Sequence, residues 1–291
     1  MKFENIFYNI MELSKKSIQI NENDYEKDGL IYCGNCNTPK QTKIMFKGEE
    51  LKPMCLCECM KKEKEKEKEK ENIKKIEEIR KRSFFDSELC TYTFENDNTY
   101  NKKITDLCKR YIEKWEEMKK DNIGLMFWGD TGTGKTYFAA CIANYLINKS
   151  ERISMKSLPE LLNELSNFEI KNKNEYIDDI CNVDLLIIDD LGSERQSEYA
   201  MEIVYDLINT RYLKKKPLIV TTNITLDEMK KTSNLKLKRI YSRILEMCVP
   251  VLFSGSDQRV KKSKDKRQAL YDYITESIWI GGIKNERKKV W

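Results

Sequence analysis

The chain has 291 residues, 35% of them charged and 40% in the hydrophobic class, with 53 Lys and Arg against 48 Asp and Glu for a net charge of +5. That length supports one ordinary core with a small accessory module, and that charge permits contact with nucleic acid without requiring it. Histidine is absent, which excludes imidazole as general base or metal ligand. No apolar run reaches membrane-spanning length and the first residues lack an apolar signal core, so a cytoplasmic protein with no membrane partner is expected.

Residues 1–30 carry Phe3, Ile6, Phe7, Ile10 and Leu13 at helical spacing. Such a stripe is the wall of a small domain or a docking face, and packing inside a domain is the commoner use. Five of the ten cysteines then fall between Cys33 and Cys59. Cys33-Gly-Asn-Cys36 has the knuckle spacing that turns two thiolates onto one metal, and Cys55-Leu-Cys57-Glu-Cys59 follows after a gap that suits a hairpin. Free reduced thiols are the bland alternative. Four thiolates with no position left for water point to a structural Zn²⁺, held by Cys33, Cys36 and two of Cys55, Cys57 and Cys59; an iron–sulfur cluster is the second choice. Lys61 to Arg82 alternates Lys and Glu and ends in Ile73, Ile76 and Ile79. It reads as a solvated, partly helical linker over 61–82.

Residues 83–98 bring Phe84, Phe85 and the run Thr91-Tyr-Thr-Phe-Glu-Asn96. They precede a helix built on Ile104, Leu107, Tyr111 and Trp115. These aromatics are placed either to cover a nucleotide base or to fill core.

Leu125 to Trp128 is a short apolar run of buried-strand type. Gly129-Asp130-Thr131-Gly132-Thr133-Gly134-Lys135-Thr136 matches G-x-x-x-x-G-K-[ST] at every fixed position, and Tyr137 to Ile147 continues as a helix. Strand, glycine loop and helix in that order make a phosphate site. Backbone N–H groups and the helix N-terminus face the anion, Lys135 reaches the β and γ phosphates, and Thr136 offers its hydroxyl to Mg²⁺.

A strand at Arg152-Ile-Ser-Met155 and a helix around Leu158 to Leu165 follow. Leu185 to Ile188 is a continuous apolar run of central parallel-strand type, ending in Asp189 and Asp190. Ligands bind at that end of strands in open α/β sheets. Asp189 is expected to hold Mg²⁺, directly or through water, and Asp190 to orient or deprotonate the attacking water. After a helix at Glu198 to Leu213, Pro217 to Asn223 is a further strand, and Asn223 is placed to hold that water or sense the γ-phosphate. A helix containing Arg239 and Arg243, a short strand Pro250 to Phe253 and a loop to Arg259 complete the region. The fold expected is α/β, a central parallel sheet flanked by helices behind a small cysteine-rich domain.

The series Thr-Phe-Glu-Asn96, Gly-Asp-Thr-Gly-Thr-Gly-Lys-Thr136, Leu-Leu-Ile-Ile-Asp-Asp-Leu-Gly192, Val-Thr-Thr-Asn223 and Arg-Ile-Tyr-Ser-Arg243 is similar to DnaC/DnaI-type replicative helicase loaders, and the related IstB transposition ATPases share it. The resemblance covers about residues 83–262, the size of one domain, and the cysteine pattern before it resembles N-terminal modules of phage and Gram-positive loaders. It implies an AAA+ P-loop ATPase using ATP/ADP, Mg²⁺ and Zn²⁺, which loads a hexameric replicative helicase onto single-stranded DNA and self-associates through its ATPase domain. The alternative is an IstB-like regulator of transposition. By the resemblance, Asn223 is a first sensor, Arg243 a finger reaching a neighbouring subunit's γ-phosphate, and Arg259 a second sensor. Asp190 stands where many AAA+ proteins have Glu, which implies slow, switch-like hydrolysis. The implied division is 1–60 as helicase-binding zinc module, 61–82 as linker, 83–262 as ATPase domain and 263–291 as basic tail.

Overall fold

The computed structural model describes residues 20–278 apart from 47, 97–100, 167–171, 193–197 and 256. The Phe3 to Leu13 stripe, the tail from Trp279 onward and the side chain of Arg259 lie outside the described residues. The chain divides into two compact units, Met1–Lys75 and Ile76–Trp291.

The first unit holds two antiparallel hairpins, β1 (Tyr25–Lys27) with β2 (Leu30–Tyr32), and β3 (Ile44–Phe46) with β4 (Glu49–Leu51). Helix α1 (Glu58–Ser83) follows, one unbroken helix where a partly helical linker was expected. Lys and Glu are good helix formers, and strict alternation puts opposite charges at i and i+3. Residues 61–75 are all exposed, and within the second unit Ile76 and Ile79 pack against its core.

The second unit opens with two 3₁₀ turns, Ser87–Thr91 and Phe94–Asn96, then α2 (Lys102–Glu113) and α3 (Trp115–Lys120). There follow β5 (Gly124–Gly129), α4 (Lys135–Asn148), β6 (Ile153–Ser157), α5 (Leu158–Ser166), α6 (Lys173–Ile180) and β7 (Leu185–Leu191). After these come α7 (Glu198–Leu213), β8 (Leu218–Thr222), α8 (Leu226–Lys231), α9 (Leu235–Met247), β9 (Cys248–Phe253) and α10 (Gln258–Ile278).

Strands β5 to β9 form one parallel sheet in the order β6-β7-β8-β5-β9. Both faces are covered, so the strands are apolar on both sides. Leu125, Phe127, Leu185, Ile187 and Ile219 enter one core with α2 and α4. Met126, Leu186, Ile188, Leu218 and Val220 enter the other with α5 to α9. Phe84 and Phe94 are buried in the first of these cores, which settles them as packing residues.

The strand order places β8 between the glycine-loop strand β5 and the acidic strand β7. Trp128 pairs with Thr222, so Asn223 emerges beside Gly129. On the other flank Gly129 pairs with Phe253, and a Cβ on Gly129 would meet the Phe253 carbonyl oxygen at 2.1 Å.

Candidate nucleotide and metal sites

The glycine loop turns tightly between β5 and α4. Gly129, Gly132 and Gly134 have φ of +134°, +76° and +98°, where L side chains are strained. Thr133 Oγ1 closes the loop on the Asp130 carbonyl at 2.8 Å. Lys135 is buried, 6% exposed, and its ammonium donates to the carbonyls of Gly129 and Asp130 and to Asn223 Oδ1 at 2.8, 2.7 and 2.7 Å. The cation is thus fixed at the loop mouth, with the α4 N-terminus behind it.

Thr136 Oγ1 donates to both oxygens of Asp189, at 2.9 and 3.2 Å. Asp189 also accepts from Thr221 Oγ1 at 2.7 Å. Burial pushes Asp189 above the usual carboxylate range, against the pull of the Thr221 hydrogen bond. A buried carboxylate beside a hydroxyl, costly to ionise alone, is a donor set that suits a hard divalent cation.

Between β7 and β8 the register shifts, so that Asp189 and Asp190 together stand opposite Thr221. Asp190 takes φ +55° and its side chain is exposed, while its N–H donates to Thr221 Oγ1 at 2.9 Å. The bulge therefore sends one acid inward and the next to solvent. Thr221, fully buried, binds both halves of the bulge. Sequence reading assigned it no role; its signal was a hydroxyl inside an apolar strand.

Tyr137 and Tyr92 pack with ring centroids 4.9 Å apart and planes tilted by 40°, and Tyr137 Oη donates to the Thr93 carbonyl at 2.6 Å. Asn144 Nδ2 holds the same segment through the Leu89 and Tyr92 carbonyls at 2.8 and 3.0 Å. The aromatic lead-in is thereby tied to the helix that follows the loop, with Phe94 inside and Tyr92 at its margin.

The structure brings Lys135, Thr136, Asp189 and Asn223 together. Arg243 lies elsewhere, in an open groove of α7 and α9 lined by Tyr205, Tyr212, Leu235, Lys238, Arg239 and Glu246. Its guanidinium carbon stands 5.1 Å from the Tyr205 ring centroid and 5.6 Å from that of Tyr212, while its Nη1 is buried with no hydrogen-bond partner among the described residues.

In the first unit Cys33, Cys36, Cys57 and Cys59 gather their sulfurs within 4.8 Å of one another. Cys55 is the spare, with its thiol on the Pro39 carbonyl at 3.5 Å. The β3–β4 hairpin fills the gap between the two pairs, as expected, and the second pair stands at the start of α1. The knuckle is fixed by Cys33 N–H to the Thr38 carbonyl at 2.9 Å and Asn37 N–H to the Cys33 carbonyl at 2.8 Å. Asp24 accepts from Gly34 N–H at 3.2 Å and pairs with the buried Lys40 at 2.5 Å. Sulfurs stand as close as 3.3 Å, between Cys57 and Cys59. A tetrahedral Zn²⁺ with bonds of about 2.3 Å needs sulfurs about 3.8 Å apart. The Thr38 hydroxyl, then the Cys59 backbone, pulls Cys36 down to about 5. Cys57, then Cys33 and Cys36, pushes Cys59 up to about 12. Four such thiols ionise together only around a cation, so the donor set fits zinc.

Residues 49–266 match the family described as IstB-like ATP binding protein. Among curated proteins the chain is 24% identical over 204 residues to replicative helicase loader DnaI of Bacillus subtilis strain 168, covering 64% of each chain. It is 29% identical over 127 residues to replicative helicase loader DnaC of Escherichia coli K12, covering 42% of this chain and 50% of the relative. The chain thus spans between half and just under two thirds of these relatives' length. The crystal structure of DnaI superposes with a TM-score of 0.51 at 23% identity, over 60% of this chain and 94% of that one. It shares the fold. With the family match running through the glycine loop, the acidic strand and the Asn223 strand, the chain belongs to the IstB-like ATP binding proteins.

Proposed function

We propose that this chain is an ATP-dependent loader of a hexameric replicative DNA helicase onto single-stranded DNA. The observation that carries the reading is the convergence of Lys135, Thr136, Asp189 and Asn223 at one loop, in a chain whose curated relatives bear the loader name. Lys135 and the loop N–H groups bind the β and γ phosphates of ATP. Thr136 and Asp189 hold Mg²⁺, which neutralises charge on the transferring phosphoryl group. Asn223 and Asp190 position water for slow hydrolysis to ADP and phosphate. Tyr137 and Tyr92 line the approach beside the loop. Arg243, remote from this chain's own loop site, serves a neighbouring subunit, with Tyr205 and Tyr212 holding its plane; Arg259 serves as second sensor.

Cys33, Cys36, Cys57 and Cys59 hold a structural zinc in a helicase-binding module over 1–60. The charged segment 61–82, exposed over residues 61–75, tethers it to the ATPase domain over 83–262, with a basic tail beyond. A tether lets the module stay bound while the ATPase domains rearrange. DNA contact through Lys and Arg weakens steeply with salt. The protein works in the cytoplasm.

The family description favours a second reading, an IstB-like regulator that assembles on duplex DNA with a transposase. The deciding experiment is a pull-down with the full chain and ATP. Retention of the host's hexameric helicase, with binding of single-stranded DNA, is expected. Binding of target duplex and transposase with the helicase ignored would establish the second reading instead.

A further inference from the structure

The glycine loop touches a residue outside every nucleotide motif. A Cβ on Gly132 would fall 1.9 Å from Asp257 Oδ1 and 2.8 Å from Oδ2, so the Asp257 carboxylate rests against the crest of the loop. The next residue is tied to the same glycine, with Gln258 N–H donating to the Gly132 carbonyl at 2.9 Å. This placement follows from the sheet. β9 runs parallel to β5 as far as Phe253 opposite Gly129, and the few residues beyond reach the loop before α10 begins.

The loop is built to hold an anion, through its inward N–H groups, the α4 N-terminus and Lys135. A carboxylate at Gly132 lies in that same field. We propose that Asp257 sets the nucleotide affinity of this site: its carboxylate competes with the incoming phosphates for the favourable potential of the loop, and bound ATP displaces it together with the first turn of α10. This inference rests on the nucleotide-site reading above and adds a residue to it.

The physical case is electrostatic. A carboxylate and the phosphates of ATP carry like charge and repel at close range in a partly buried site, and ATP brings several charges. Part of that repulsion is relieved by moving Asp257, so the net effect expected is about tenfold in affinity. Nucleotide occupancy is thereby read at the start of α10.

The experiment is calorimetric titration of the full chain with MgATP, comparing the unmodified protein, Asp257→Asn and Lys135→Ala. Asp257→Asn keeps the shape and removes the charge. It is expected to bind ATP about tenfold more tightly, with a smaller gain for ADP. Amide hydrogen exchange in the first turn of α10 is expected to rise when ATP binds the unmodified protein. Unchanged or weaker ATP binding by a folded Asp257→Asn protein would overturn the proposal, as would ATP leaving exchange in that turn unaltered. If Lys135→Ala also binds ATP normally, the nucleotide site itself is misassigned. If Lys135→Ala alone loses binding, only the role of Asp257 falls.

Discussion

Lys135 and Asn223 stand 88 positions apart in the chain, and the ammonium of one donates to the amide oxygen of the other at 2.7 Å. The contact exists because β8 is the immediate neighbour of β5, so both residues leave the sheet at the same edge. It links the cation proposed to bind phosphate to the group proposed to position water. The two are separable by mutation. Lys135→Ala is expected to abolish MgATP binding in a calorimetric titration. Asn223→Ala is expected to keep binding within a few-fold while turnover falls by about 100-fold, as for removal of a preorganised polar group. Equal losses of binding in both variants would refute the separation.

Asp189 is expected to trade stability for function. Its folded-state pKa is raised by burial. A raised carboxylate favours the folded state most below its unfolded value, and that contribution is lost as pH rises through the folded value. At neutral pH and above, the buried charge therefore costs stability. Asp189→Asn keeps an acceptor for Thr136 and Thr221 without that charge. Its melting temperature in the absence of nucleotide should exceed the parent's by roughly 2–4 °C at pH 8, equivalent to about 1 kcal/mol, and the difference should shrink toward pH 4. The extra stabilisation that MgATP gives the parent should disappear.

The cysteine cluster makes a discriminating test. One zinc per chain is expected by elemental analysis of protein purified without added metal. Cys55→Ser should retain it fully, because its sulfur faces the Pro39 carbonyl. Cys57→Ser or Cys36→Ser should lose it, and strong chelators should unfold the small unit while leaving the second unit's melting transition in place. A metal-free, folded parent protein would remove the assignment.

Arg243 is held by aromatic faces rather than by a carboxylate. Arg243→Ala should bind ATP normally and lose about 10³ in hydrolysis rate. Tyr205→Ala with Tyr212→Ala should produce a smaller loss, since the guanidinium remains but its plane is no longer held. Mixing Arg243→Ala with Lys135→Ala protein should restore part of the ATPase activity, each supplying what the other lacks. No recovery at any ratio, with self-association intact, would exclude action between subunits.

Local order was written in local pattern. The phosphate loop is legible because its glycines, lysine and threonine must sit at fixed spacing between a strand and a helix, and Leu185 to Ile188 reads as a buried strand from composition alone. The Cys33–Cys36 knuckle is legible for the same reason, since two residues between thiols set the turn. What the sequence left open required distant segments to meet. Strands buried on both faces have nearly interchangeable apolar sequences, so nothing local says that β8 lies between β5 and β7. That order alone made Thr221 the partner of both acids and put Asn223 on Lys135. Which of three cysteines is spare depended on where α1 begins. Arg211 shows the same limit. It reads as one more helix cation, yet it is fully buried and donates to the carbonyls of Cys181, Val183, Asp184 and Pro217. Burial lowers it to about 10. Those carbonyls come from the segments leading into β7 and β8, and only tertiary packing brings them to one guanidinium, where its fixed fork of donors can satisfy them together.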